Sequence, residues 1–178
     1  MIYAAFLRGM NLGNRRLTND ELRAQFERIG VESPRTFQAA GNVVFESPDK
    51  SEAKLRKLLE TELESGLGYP VPTVLRNAAE LAELIAAEPF PAKDVAASKG
   101  KLQVMLLASK PGAAARKKVL GHATDDDRLE FGDRELFWLP SGGISDSDLD
   151  LRAIEKALPT ATTRTFGTIE RLAAKFLD

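Results

Sequence analysis

Apolar residues crowd the start of the chain. Met1 to Leu7 (MIYAAFL) places them on both alternating faces, the pattern of a strand covered on both sides. From Leu17 to Ile29 the period changes: Leu22, Phe26 and Ile29 fall on one helical stripe, and Gly30 stops it. Arg35 to Ala39 and Val43 to Glu46 predict two strands around Gly41-Asn42, a short hairpin signal. Ser51 opens a helix carrying Leu55, Leu58, Leu59 and Leu63, ended by Gly66 and Gly68. Val71 to Leu75 reads as a fourth strand, and Asn77 starts a third helix through Ala87. The predicted order is β-α-β-β-α-β plus one helix.

Pro89 to Lys101 is rich in proline, alanine and lysine without a period, which reads as a linker. The same order then recurs: a strand over Leu102 to Leu107, a helix over Gly112 to Leu120, strands over Arg128 to Phe131 and Glu135 to Leu139 around Gly132-Asp133. Asp148 to Leu158 reads as a helix, Thr160 to Thr163 as a strand and Thr165 to Leu177 as the closing helix. "VLRNAAELAEL" (Val74 to Leu84) lies over "TTRTFGTIERL" (Thr162 to Leu172), so that Arg76 matches Arg164, the candidate cap Asn77 matches Thr165, and Leu81 and Leu84 match Ile169 and Leu172. The expected fold class is therefore α+β, with two ferredoxin-like split βαβ halves related by internal duplication. The halves span 1–88 and 102–178, with a linker over 89–101. Such a sheet has helices on one face only, so an apolar first strand requires a cover from the other half or from a second chain.

Composition narrows the function classes. Hydrophobic residues make up 43% and charged residues 29%, an ordinary globular balance. Twenty-five basic residues against 26 acidic ones give a net charge of −1, without the basic excess of a protein that wraps duplex nucleic acid. No cysteine is present, which removes disulfides, thiolate nucleophiles, iron–sulfur clusters and cysteine-ligated zinc, and suits a reducing cytoplasm. The N-terminus reads as a strand rather than a signal peptide, and no apolar stretch approaches the roughly 18 residues of a membrane span. A cytoplasmic protein with no membrane partner is expected.

The stretch "RGMNLGNRR" invites a phosphate-loop reading. It lacks the P-loop spacing, because Gly9 and Gly13 are one residue too close and Asn14 stands where lysine is required. Thr18 and Glu21 fit a capping box, which uses two helix N-terminal donors internally, and the carboxylates of the first turn repel an incoming anion. Arg8, Arg15 and Arg16 precede that cap. In a split βαβ unit the end of the first strand lies beside the start of the third, which brings Arg8 and Asn11 near Gly41 and Asn42 as a polar, anion-tolerant corner. The simpler account pairs Arg8 with a nearby carboxylate and uses both asparagines to tie down turns.

"LRGMNLGNRRLTNDEL", "QAAGNVVFES", "GGISDSDLD" and "TTRTFGTIERL" occur in that order along the chain. Together they resemble the bacterial family known as domain of unknown function 1697, whose members read like LLRGINVGG, a serine-glycine-asparagine hairpin before a phenylalanine strand, GI..SKL, and TTRNWNT with KL. The matching positions are Arg8, Gly9, Asn11 and Gly13; Gly41, Asn42 and Phe45; Gly143, Ile144, Ser147 and Leu149; and Thr163, Arg164, Thr168 and Leu172. Asn14 departs from a glycine, Ala40 from the hairpin serine, Asp148 from a lysine and Thr165 from an asparagine. The resemblance implies two related α/β halves and no established activity. The change at Asp148 reverses a charge, which weakens any anion site built on that lysine.

Catalytic chemistry is not marked. His122 is the single histidine, and with Asp125 to Asp127 it falls short of a zinc set and reads as a solvated loop. Asp146, Asp148 and Asp150 lack the register of a calcium loop, and helix capping by Ser147 or Asp148 is expected instead. No serine sits in a nucleophile elbow, and neither Glu21 nor Glu46 is marked as a base. Trp138 and Phe137 read as packing. The leading expectation is a non-enzymatic binding or regulatory module, monomer or homodimer, with no cofactor and no metal. Its ligand-binding candidates are Arg8, Asn11, Gly41, Asn42 and Arg164, facing a small anionic ligand or a protein partner. Single-stranded nucleic-acid binding, for which "GNVVF" bears a faint likeness to an RRM strand, and an enzyme with an arginine or carboxylate site stay open as alternatives.

Overall fold

The computed structural model describes residues 1–38 and 41–177, so Ala39 and Ala40 of the expected first hairpin lie outside the described residues. Two compact units form, one from Met1–Glu83 with the terminal residues from Leu172, the other from Leu84–Arg171. The N-terminal sequence runs β1 (Ile2–Leu7), α1 (Asn19–Ile29), β2 (Glu32–Thr36), β3 (Asn42–Glu46), α2 (Glu52–Leu67), β4 (Thr73–Asn77) and α3 (Ala78–Ile85). The C-terminal sequence runs α4 (Ala92–Ala97), β5 (Gln103–Leu107), α5 (Ala113–Leu120), β6 (Asp127–Phe131), β7 (Glu135–Pro140), α6 (Leu151–Ala157), β8 (Ala161–Thr165) and α7 (Phe166–Phe176), with a 3-10 turn at Ile144–Asp146.

The two sheets have one topology. Their strand orders are β2-β3-β1-β4 and β6-β7-β5-β8, and each pairing is antiparallel. This is the split βαβ arrangement twice over. The register repeats as well: Ala4 faces Arg76 in the first sheet and Val104 faces Arg164 in the second. Following β4 and β8, the helix entries are tied by the aligned cap residues. Asn77 Oδ1 accepts from the Glu80 amide at 3.0 Å, and Thr165 Oγ1 accepts from the Thr168 amide at 3.2 Å.

Alternation explains each core. Tyr3, Ala5 and Leu7 of β1 join Val43, Phe45 and Leu75 under Leu22 and Phe26 of α1 and Leu55, Leu59 and Leu63 of α2. Phe45 is the centre of an aromatic cluster, 5.9 Å from Tyr3 and 5.7 Å from Phe26 between ring centroids. Each such side chain removed from water contributes about 1.5–3 kcal/mol before entropy is counted. Ala4, Phe6, Val44 and Val74, on the other face, are also buried, as the doubly apolar first strand predicts. In the second unit Met105, Leu107, Leu136, Trp138 and Ala161 pack with Val119, Ile154 and Leu158.

Several boundaries move for identifiable reasons. β4 begins at Thr73 rather than Val71 because Pro72 has no N–H to give a ladder; its carbonyl accepts from the Arg8 amide at 2.9 Å. β2 starts earlier than expected, at Glu32, and is irregular between Glu32 and Arg35. Ser33 has a φ of 49° and Pro34 follows it, a combination that an edge strand tolerates. The expected linker contains α4, whose Asp94 receives Arg128 at 2.8 Å while the same guanidinium lies 5.0 Å from the Phe90 ring centre. Helix α6 starts at Leu151 and is capped by Asp150, whose Oδ1 accepts from the Ala153 amide at 3.0 Å. This corrects the assignment of Ser147 or Asp148 as cap; the Ser147 hydroxyl is engaged elsewhere.

Candidate functional site

The residues leaving β1 build a tight corner. The Leu7 amide donates to the Gly41 carbonyl at 2.8 Å. Beyond it the chain turns through three left-handed residues, Gly9 (φ 73°), Asn11 (φ 58°) and Gly13 (φ 56°). Asparagine tolerates that conformation better than most side chains, and here Asn11 Oδ1 also accepts from the Leu17 amide at 3.0 Å, closing the loop onto the entry to α1. Gly41 has φ 73° and a confined environment: a Cβ there would lie 2.7 Å from Met10 Cγ and 3.1 Å from Leu7 Cβ. Asn42 is fully buried, and its Nδ2 donates to the Phe37 carbonyl at 2.9 Å while the Phe37 amide donates to the Asn42 carbonyl at 3.0 Å.

Along the loop itself the charges are of one sign, while Glu60 of α2 accepts from the amide of Thr73, the residue paired with Leu7, at 2.9 Å. No carboxylate occurs between Phe6 and Leu17, whereas Arg8, Arg15 and Arg16 do. Arg8 is half-buried, and the Arg15 guanidinium lies over the Tyr69 ring at 4.1 Å. The next carboxylates are occupied. Asp20 meets Arg23 at 3.4 Å, and Glu21 Oε2 accepts from the Thr18 amide at 2.7 Å while Thr18 Oγ1 accepts from the Glu21 amide at 3.2 Å. The capping box is thus present, and its hydrogen bonds from Thr18 hold the Glu21 carboxyl below its ordinary value of 4.5. On the hairpin side, Phe37 and Phe176 meet edge to face at 6.0 Å, with the Arg35 guanidinium 4.8 Å from the Phe176 ring centre and Lys175 Nζ at 5.3 Å from the same ring.

Of the expected site residues, Arg8, Asn11, Gly41 and Asn42 belong to this one corner, and both asparagines have turn-tying hydrogen bonds. Arg164 belongs to the C-terminal unit. Its Nη1 donates to Thr162 Oγ1 and to the Thr163 carbonyl, each at 2.8 Å, and loss of hydration lowers its pKa to about 10. Arg76, its register mate in the N-terminal sheet, donates from Nη1 to the Leu75 carbonyl at 2.8 Å.

A second constellation was not legible in the sequence. Asp127, at the start of β6, is buried, and its Oδ1 accepts from the Trp138 indole and from the Ser147 hydroxyl, each at 2.8 Å. Its amide donates to Thr124 Oγ1 at 3.0 Å, and Ser147 Oγ in turn accepts from the Leu149 amide at 3.1 Å. The single tryptophan and the serine of "GGISDSDLD" were visible signals, but their common partner is far away along the chain. Thr124, Asp127, Ser147 and Leu149 border a cleft of about 360 Å³ that includes His122. Among the described residues no group of three or more histidines and carboxylates is arranged to hold a metal ion, and no helix is long and apolar enough to cross a membrane.

Comparison with known proteins extends the fold and not the chemistry. No curated protein matches the chain. The solved structure of the conserved bacterial protein SP0830 from Streptococcus pneumoniae is similar at a TM-score of 0.79 and 20% identity, covering 99% of this chain and 98% of that one. At that identity the likeness establishes the shared fold. The family described as protein of unknown function (DUF1697) matches residues 1–137, which include the corner at the end of β1, and the chain belongs to that family.

Proposed function

We propose that the chain is a non-enzymatic binding or regulatory module that takes a small anionic ligand at the end of β1. The observation that carries this reading is the charge and rigidity of one loop. Arg8, Arg15 and Arg16 stand on a segment without a carboxylate, whose left-handed Asn11 is tied to the Leu17 amide, and the adjoining hairpin is closed by the Asn42 hydrogen bond to Phe37. A backbone already held in one shape loses little further entropy on binding, and arginine matches phosphate or carboxylate with a planar fork. The corner supplies cations and amides that suit holding an anion.

A thermal-shift panel of nucleotides and phosphorylated metabolites tests it on the wild type and Arg8→Ala. At least one ligand is expected to raise the melting temperature of the wild type and to lose that effect in Arg8→Ala. If no ligand shifts the wild type, the small-ligand reading fails. A second reading, single-stranded nucleic-acid binding, draws support from Phe37 and Phe176 beside Arg35 and Lys175, since half-exposed rings and cations are the elements of a stacking platform. Filter retention of a labelled oligonucleotide at low salt, lost in Phe37→Ala, would favour it; no retention at low salt removes it.

A further inference from the structure

Helix α4, in the stretch that joins α3 to β5, has no buried residue, and a helix so short has little stability of its own in water. Polar anchors hold it where packing does not. Asp94 pairs with Arg128 at 2.8 Å, the Ser98 hydroxyl donates to the Pro140 carbonyl, and the Lys99 amide donates to the Ser141 carbonyl at 3.0 Å. Ala92, Val95 and Ala96, spaced to share one helix face, line a groove of about 540 Å³ together with Phe90, Leu102 and Phe166. Phe90 and Leu102 are only 6% and 8% exposed, so the depth of the groove is apolar. Its charged lining residues, Glu88, Lys101 and Glu170, are exposed and bring both signs to the mouth.

We infer that this groove binds a small uncharged aromatic molecule, packed against the apolar face of α4 and the rings of Phe90 and Phe166. The volume lies within the roughly 300–1,000 Å³ of small-molecule sites. Both rings are set in place before binding: Phe166 meets Phe137 at 6.3 Å between centroids, and the Arg128 guanidinium lies 5.0 Å from the centre of Phe90. Rings already held lose little entropy when a flat partner packs against them. Polar groups of the lining are engaged within the protein. The Leu102 carbonyl accepts from the Phe166 amide at 2.8 Å, the Lys101 carbonyl accepts from Gln103 Nε2 at 2.8 Å, and the Ser98 hydroxyl donates to the Gly100 and Pro140 carbonyls. The depth of the groove therefore asks for apolar surface and not for a donor or acceptor, and the mixed, hydrated charges at its mouth select neither an acid nor an amine. The inference is independent of the anion site, because every residue that lines the groove belongs to the C-terminal unit.

N-phenyl-1-naphthylamine, an uncharged dye that brightens in apolar surroundings, is a suitable probe. Titrated into the full chain it should give a saturable rise in emission. Ala96→Phe fills the groove from an exposed position where folding is not at stake, and it should weaken binding by about tenfold or more. Leu58→Ser removes an exposed leucine of α2, in the other unit, and should leave the isotherm unchanged. Three results would overturn the inference: no saturable rise in the wild type, an unchanged or tighter isotherm in Ala96→Phe, or an equal loss in Leu58→Ser, which marks diffuse adsorption. Sedimentation velocity supplies a further check, since self-association that Ala96→Phe abolishes would assign the groove to a second copy of the chain and overturn the small-molecule occupant.

Discussion

The two units share a sheet order and a register, yet each lengthens a different connection. In the N-terminal unit the chain between β1 and α1 runs from residue 8 to 18, while its counterpart between β5 and α5 occupies only 108–112. Between β3 and α2 the chain is short, 47–51, whereas the equivalent β7–α6 connection runs from 141 to 150. These are opposite ends of the sheet. The first loop lies beside Gly41, at the start of β3, and the position of the second corresponds to Ser47, whose amide donates to the Met1 carbonyl at 2.9 Å. The first loop holds arginines and the second aspartates. A four-stranded sheet under two helices constrains its inward positions, while connections at its ends change length and charge at little cost to the core.

Phe45→Ala tests whether the N-terminal unit depends on its aromatic cluster, with an expected loss of about 3–5 kcal/mol in urea unfolding. A loss below about 1 kcal/mol would show that Tyr3 and Phe26 do not rely on it. The hairpins provide a sharper contrast. Gly41→Ala forces a left-handed alanine against Met10 and Leu7, a cost of about 2–3 kcal/mol. At Gly132, the hairpin glycine of the other unit, a Cβ meets the flexible Glu135 carboxylate at 3.0 Å and the Phe137 ring at 3.3 Å without a positive φ, and Gly132→Ala should cost about 1 kcal/mol, less than Gly41→Ala. Equal costs at the two sites would erase the distinction between the corners.

A smaller difference concerns buried polar groups. Asn42→Ala removes the donor to the Phe37 carbonyl, and Trp138→Phe removes one of two donors to Asp127. Each is expected to destabilise by about 1–3 kcal/mol in chemical denaturation. An Asn42→Ala variant as stable as the wild type would mean that this amide has a role other than closing the hairpin. The smallest effect is acid dependence. Glu21 is held below its ordinary 4.5 by Thr18, and Asp133 below its ordinary 3.8 chiefly by the hydrogen bond from Lys110. A carboxyl whose folded pKa is lowered adds stability above its unfolded value, and that contribution fades as pH falls through the folded value. Melting temperatures of Glu21→Gln should therefore depend less on pH below 4.5 than those of the wild type; an unchanged acid limb would exclude the capping box as a contributor.

Much of the local chemistry is legible where cause and effect are a few residues apart, the Asp150 cap of α6 excepted. Thr18 and Glu21 formed their box, Gly30 took φ 89° after α1, and Asn77 and Thr165 tied the helices that follow the fourth strands. Errors arose where a partner is distant or a neighbour intervenes. Pro72 delayed β4, and Ser147 was assigned to a helix cap because nothing nearby announced Asp127, twenty residues before it, as its acceptor. Antiparallel pairing of β1 with β3 sets Phe6 opposite Asn42, the strand adjacency that the split βαβ order predicts. The sequence could not tell that Asn11 turns back to Leu17 and Asn42 to Phe37, because an amide looks the same whether it binds a turn or a ligand.

By itself the sequence determined the repeated β-α-β-β-α-β order, the caps at Thr18, Ser51, Asn77 and Thr165 and the family, because periodicity, capping and turn chemistry act over a few bonds. Helix α4 and the Asp150 cap of α6 came only with the structure. Tertiary structure alone decided which polar groups meet. It closed Gly41 against Met10 and Leu7, set Arg15 on Tyr69, and gathered Trp138 and Ser147 on one oxygen of Asp127. Those meetings depend on strand pairing and helix packing between residues far apart in the chain, and a side chain's chemistry is fixed by the neighbours that replace its water.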